Sequence, residues 1–196
     1  IRPCTKPLRI IHLMTHRSGW GYDVRPGYEP VFSPNIAFDT IFPNQTRFND
    51  LQSYVEACAK HPLLFEPGTQ YLYGINQAIQ GRLIEVITGV PFEAYLRKTL
   101  FEPLGMKDTD FFVPKEKWSR FTNQNGRNRS GELFISESAS KSVFKEMPKN
   151  ESGGGGLCST ASDYFKFCQM ILNGGEFNGK RLLKKDTVRL MLTNHL

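Results

Sequence analysis

With 196 residues, 39% of them hydrophobic and 12% aromatic, the chain can bury one core, which excludes a disordered segment and argues for one domain rather than two. The net charge of +6 admits an anionic partner, but the densest basic group, Lys115, Lys117, Arg120, Arg127 and Arg129, interleaves with Asn, Gln and Gly rather than with stacking aromatics, so a solvated loop is expected there and no nucleic-acid surface. No apolar run reaches the roughly 18–20 residues that cross a bilayer, and Ile1-Arg2-Pro3-Cys4 does not open a signal peptide, which leaves localisation open.

In chain order, residues 7 to 16 are expected to form a short helix and residues 35 to 48 to be irregular. Asp50 is placed to cap a helix carrying Leu51, Tyr54, Val55 and Cys58, which Pro62 follows. Pro67-Gly68 predicts a tight turn, after which Ile75, Ile79, Leu83, Val86 and Ile87 fall on one face of a helix that closes at Thr88-Gly89. Tyr73 therefore stands where a turn meets a helix start, a position that displays a phenol to a cleft and suits acid/base chemistry. The plainer alternative is a packed aromatic with its hydroxyl bonded. Pro91 opens a helix with Phe92, Tyr95, Leu96 and Leu100, whose exit is marked by Pro103 and Gly105.

Residues 111 to 156 read as a long excursion with little strand character. Thr160 and Asp163 then form a capping-box pair ahead of Tyr164, Phe165, Cys168 and Ile171, and Asn173-Gly174 stops that helix. A final helix is expected from Lys185 to Thr193, carrying Val188, Met191 and Leu192, and neither a repeat nor an inter-domain linker is evident.

Several chemistry-bearing residues are read structurally. The four cysteines, Cys4, Cys58, Cys158 and Cys168, show no C-x-x-C and no nearby His pairing, so no metal site is expected; Cys58 and Cys168 are expected to be buried free thiols. Sequons at Asn44, Asn128 and Asn150 matter only in a secreted protein. Two S-x-x-K matches, Ser138 to Lys141 and Ser142 to Lys145, lack the buried helix start that lowers a lysine pKa and frees its amine to accept a proton. His16 is expected to satisfy carbonyls at a helix end rather than to act as a base, and Gly153 to Gly156 lacks the spacing of a phosphate loop.

Four phrases, in order, carry a resemblance. Leu13-Met14-Thr15-His16-Arg17-Ser18-Gly19-Trp20 is similar to the LLTHTSGL phrase of the serine β-lactamase-like superfamily, which holds class C β-lactamases, DD-peptidases and related esterases. Phe65 to Gly89, Leu100 to Thr109, and Gly153 to Phe167 with Leu172-Asn173-Gly174-Gly175 resemble three later phrases of the same family. The resemblance implies an α+β fold of the β-lactamase/transpeptidase kind, with residues 1–196 forming the central, mostly helical part of a single domain. Its sheet, its S-x-x-K nucleophile segment and its H-x-G or K-T-G strand are expected outside these residues. The partner implied is thus the remainder of that domain, in the same polypeptide or as a separate chain.

The chemistry the resemblance implies is acyl transfer through a serine ester, acting on a small-molecule or peptide ester, amide or lactam without metal or organic cofactor. Tyr73 would be the catalytic acid/base. A free phenol titrates near about pH 10, so a lysine ammonium from the S-x-x-K segment would be needed to stabilise the phenolate. Trp20, Tyr22, Gly74 and Ile75 would border the substrate. Ile75 stands where the family's Y-x-N pattern has Asn, with Asn76 one position late, a departure toward the esterase-like branch. The alternative is a relative that keeps the scaffold as a non-catalytic binding module.

Overall fold

A computed structural model of the chain describes residues 2–21 and 48–195. The first helix, α1 (Ile10–Met14), is short, and the chain leaves it through Thr15 and His16, the latter at φ +53°. In α2 (Leu51–Ala59) the expected cap forms: the Asp50 carboxylate accepts the Ser53 N–H at 2.6 Å. Helix α3 (Asn76–Thr88) ends on Gly89 at φ +68°, whose N–H donates to the Glu85 carbonyl at 2.8 Å.

The helix expected after Pro91 begins as α4 (Phe92–Leu96), widens into a π turn at Arg97–Phe101 and finishes as α5 (Glu102–Leu104) before Gly105 at φ +65°. Pro103 lies inside the last turn rather than beyond it. A proline lacks the N–H for an i to i−4 bond and crowds the carbonyl four residues earlier, and widening the preceding turn relieves both.

The excursion contains strand structure that the sequence reading did not expect. Strands β1 (Gln124–Arg127) and β2 (Leu133–Glu137) form an antiparallel hairpin with Asn125 opposite Ile135 and Arg127 opposite Leu133. Its turn is built by Asn128, whose Oδ1 accepts the N–H groups of Ser130 (3.0 Å) and Glu132 (2.9 Å), with Gly131 at φ +83°. Helix α6 (Ala161–Leu172) follows, then a small hairpin of β3 (Glu176–Phe177) with β4 (Lys180–Arg181), and α7 (Lys185–Met191). Thr160 caps α6 by accepting the Asp163 N–H at 3.2 Å. The reciprocal half of a capping box is replaced by a tertiary tie, because the buried Asp163 carboxylate accepts the Asp108 N–H (2.7 Å) and the Thr109 hydroxyl (3.2 Å).

Two apolar clusters form the core. Leu51, Tyr54 and Cys58 of α2 pack on Ile75, Ala78, Phe92 and Phe111, while Phe101, Leu104, Met106 and Met170 pack beneath α6; Leu96 touches both. Gly81 lets α2 approach α3, since a Cβ there would lie 2.9 Å from Leu51 Cδ2. The buried face of α3 is therefore Ile75, Ala78 and Gly81, and the expected stripe breaks down at Val86 and Ile87, which are 64% and 69% exposed. Of the two cysteines expected inside, Cys58 is buried and burial pushes its thiol up to about 11, whereas Cys168 is exposed. Among the described residues no helix is long and apolar enough to cross a membrane.

A candidate active site around Tyr73

The loop after α1 and the approach to α3 are joined by backbone bonds: Leu64 N–H to the Gly19 carbonyl (3.0 Å), Gly68 N–H to Arg17 (2.7 Å) and Leu72 N–H to His16 (2.8 Å). The two segments touch so closely at Gly74 that a Cβ there would lie 2.5 Å from both Gly21 Cα and the Trp20 carbonyl oxygen. Only glycine fits, and the backbone on either side of Tyr73 is fixed as a result.

Beneath this crossing lies a buried polar network whose direction the backbone dictates. The Trp20 N–H donates to Ser18 Oγ at 3.0 Å, so the single Ser18 hydroxyl hydrogen is left to donate to Asn76 Oδ1 at 2.5 Å. That turns Asn76 Nδ2 toward His16 Nδ1 (3.0 Å), which also receives the Gly74 N–H at 3.3 Å. Nδ1 thus accepts and the ring proton sits on Nε2; the Gln77 side-chain amide lies 2.6 Å from Nε2, and this tautomer requires that amide to be turned with its oxygen toward the ring. Ser18 and Asn76 are fully buried, and burial holds the His16 pKa below 6.5.

Tyr73 is 58% exposed, its ring resting against the His16 imidazole at a centroid distance of 4.7 Å and a tilt of 30°, while Tyr71 meets the same imidazole edge-on at 5.9 Å. Trp20 is half-buried against the α2/α3 core, and its indole N–H has no hydrogen-bond partner among the described residues. Gly74 is buried and meets its neighbours through backbone alone. Ile75 is only 2% exposed and belongs to the core, so its side chain is taken up by packing and does not face the space beside Tyr73. Tyr22 lies outside the described residues. The structure thus joins Tyr73, Gly74 and the Trp20 backbone in one place, together with His16, Ser18 and Asn76, which sequence reasoning did not assign to the site.

The remaining candidates have structural duties. Ser138 and Ser142 accept the Ser140 and Phe144 N–H groups at the starts of 3-10 turns, and the Ser142 hydroxyl donates to Glu137. The Lys145 ammonium sits 4.2 Å over the Trp118 ring rather than beside either serine. Gly153 packs on the first turn of α3, where a Cβ would lie 2.3 Å from the Gln77 carbonyl oxygen. The expectation that His16 satisfies carbonyls is corrected, since its ring accepts N–H groups instead. Among the described residues no group of His, Cys, Asp and Glu is arranged to hold a metal.

Similar proteins place this arrangement in a family. The chain is 29% identical over 186 residues to the ML-236A carboxylate methylbutanoyltransferase of Penicillium citrinum, covering 94% of this chain and 41% of that protein. It is 26% identical over 202 residues to a candidate D-alanyl-D-alanine carboxypeptidase of Escherichia coli, covering 95% of this chain and 44% of that one. The unliganded simvastatin synthase of Aspergillus terreus superimposes with a TM-score of 0.71 at 26% identity, over 100% of this chain and 44% of that chain. The chain spans less than half the length of these relatives. A family model described as Beta-lactamase matches residues 2–195, nearly every position from the α1 loop to the end of α7, and the chain accordingly belongs to the beta-lactamase family.

Proposed function

We propose that this chain supplies the tyrosine wall of an acyl-serine site, and that the whole protein transfers an acyl group from an ester, amide or lactam to water or to an acceptor alcohol. The observation that carries the proposal is Tyr73 itself: an exposed phenol on a backbone locked at Gly74, its ring backed by a neutral imidazole. The relatives are named for moving or cleaving acyl groups, which supports the reaction class.

In this reading the nucleophilic serine and its lysine come from the segment that the resemblance places outside residues 1–196. The Tyr73 phenolate, held by that ammonium, takes the serine proton as the oxygen attacks the carbonyl. It returns the proton to the leaving group as the tetrahedral intermediate collapses to the serine ester. Water or an alcohol then repeats the cycle, losing its proton to Tyr73 as it attacks the ester and restoring the serine hydroxyl. A pair of backbone N–H donors, also implied outside this chain, would hold the developing oxyanion. The loss of the Asn in Y-x-N favours an ester or non-lactam amide.

The test is the intact mass of the full-length protein after exposure to a fluorophosphonate and, separately, to a β-lactam. One fluorophosphonate adduct per chain is expected, forming at least about a hundredfold more slowly in Tyr73→Phe. No adduct on a folded protein would favour the non-catalytic scaffold, and an adduct on Ser138 or Ser142 would relocate the nucleophile.

A further inference from the structure

We propose that His16, held as the neutral Nε2–H imidazole, is a positioning residue for Tyr73; the inference rests on the acyl-serine reading above. Three observations support it. The imidazole is the surface on which the phenol ring lies, at 4.7 Å. The same ring meets the first two residues of α3, Asn76 and Gln77, and receives the Gly74 N–H itself, so the position of the phenol and of the helix start are set by one side chain. And the His16 backbone is committed as well, its carbonyl accepting the Leu72 N–H one residue before Tyr73.

The protonation state matters because of what Nδ1 faces. Both of its neighbours, the Gly74 N–H and the Asn76 amide turned by Ser18, are donors, and the Gly74 N–H cannot become anything else. A proton on Nδ1 would set three donors against one another and displace the ring from beneath Tyr73. The titratable groups against the imidazole are the phenols of Tyr71 and Tyr73, beside the neutral amides of Asn76 and Gln77. The guanidinium of the adjacent Arg17 is turned away to the Gly68 carbonyl. Among the described residues nothing charged compensates an imidazolium here, and burial, the cause of the lowered His16 pKa, opposes it. His16 is therefore held as the neutral ring, and protonating it in acid, below its ordinary range, should disable the site.

The experiment uses the full-length protein with p-nitrophenyl butyrate as probe, alongside histidine side-chain nitrogen NMR. In the wild type the His16 signals, recognised by their contacts with the Tyr73 ring, are expected to report the Nε2–H tautomer at pH 7.5. The acid limb of kcat is expected to follow the His16 titration. In His16→Phe, kcat should fall about ten- to a hundredfold with KM within about twofold, and that acid limb should vanish, because phenyl cannot titrate. A folded His16→Phe enzyme with kcat within twofold of wild type, while Tyr73→Phe is inactive, would overturn the positioning role. So would an Nδ1–H or charged His16 at pH 7.5 in the wild type, a result available even if the variant does not fold. Full turnover in Tyr73→Phe would instead bring down the acyl-serine reading itself.

Discussion

At the scale of single residues, Asn76 decides which way the buried network runs. Its Nδ2 is the donor that makes His16 Nδ1 an acceptor, so the isosteric change Asn76→Asp puts a carboxylate oxygen where a donor stood. Two acceptors then face each other, and the carboxylate draws a proton onto Nδ1 as an imidazolium pair. The expected outcome is a His16 pKa that rises from below 6.5 in the wild type to above it in the variant, read by NMR titration. A value that stays below would show the network to run the other way. Gly74→Ala is the steric counterpart. Its Cβ meets backbone on both sides, at Gly21 and at Trp20, and backbone cannot rotate away as a side chain end does. A loss of about 1–3 kcal/mol in chemical denaturation is expected, with acyl-transfer activity lost alongside it.

At the scale of elements, the turn that follows α5 is fastened on two sides by carboxylates of different exposure, to α6 by Asp163 and to residues 115–120 by Asp108. Asp163 is 3% exposed and accepts from Asp108 N–H, Thr109 Oγ1 and Lys166 Nζ; in Asp163→Ala the Lys166 ammonium keeps the Gly105 carbonyl and the Thr109 hydroxyl keeps Ser159 Oγ, but the Asp108 N–H is stranded, and a loss of about 2 kcal/mol is expected in a urea titration. Asp108 is more open, and the Arg120 guanidinium, helped by the Lys117 ammonium, holds its carboxyl well below the usual 3.8. A carboxyl depressed in the folded state contributes stability that is present above its unfolded pKa and drains away as pH falls through the folded one. Wild type should therefore melt above Asp108→Asn at pH 7, and the gap should begin to narrow below about pH 4 and close only where the folded carboxyl itself takes up its proton. A gap that persists in acid would mean that the Asp108 contacts act through something other than charge.

The same elements show what sequence could and could not convey. Caps are local, and Asp50, Thr160 and Gly89 were readable because each satisfies or ends its own helix within four residues. The hairpin of β1 and β2 was not, because Leu133, Phe134 and Ile135 form an unbroken apolar run with all three side chains exposed, and no alternation marks a buried face. Tyr73 at a helix start was legible from Pro67-Gly68, but Ile75 was taken for a lining residue, since helical spacing alone does not say that Phe92 and Tyr54 would enclose it. The His16 network joins residues 58 to 61 positions apart, and no local pattern encodes such a pairing.

At the scale of the whole molecule, α6 is apolar on two sides. Phe167, Met170 and Ile171 face the second core cluster, yet Phe165 and Leu172 stand on the other side at 63% and 80% exposure. Leu190, Met191 and Leu192 at the end of α7 are exposed as well. A helix that needed only one buried face would carry polar residues opposite it, and contiguous apolar surface of this kind is rarely left in water. The expectation is that further parts of the same domain cover the outer side of α6 in the full-length protein. A substitution at a truly exposed position changes stability by no more than about 0.5 kcal/mol, whereas burying an unpaired carboxylate costs several times that. Phe165→Glu in the full-length protein is therefore expected to lose about 2 kcal/mol or more, while Ser162→Glu, exposed in the first turn of the same helix, should stay near neutral. Residues 1–196 expressed alone should reverse the ranking, since Phe165→Glu would there remove apolar surface from water, lowering dye binding and self-association without a loss of stability. Equal, small effects of Phe165→Glu in both contexts would mean that the outer side of α6 is free in the whole protein.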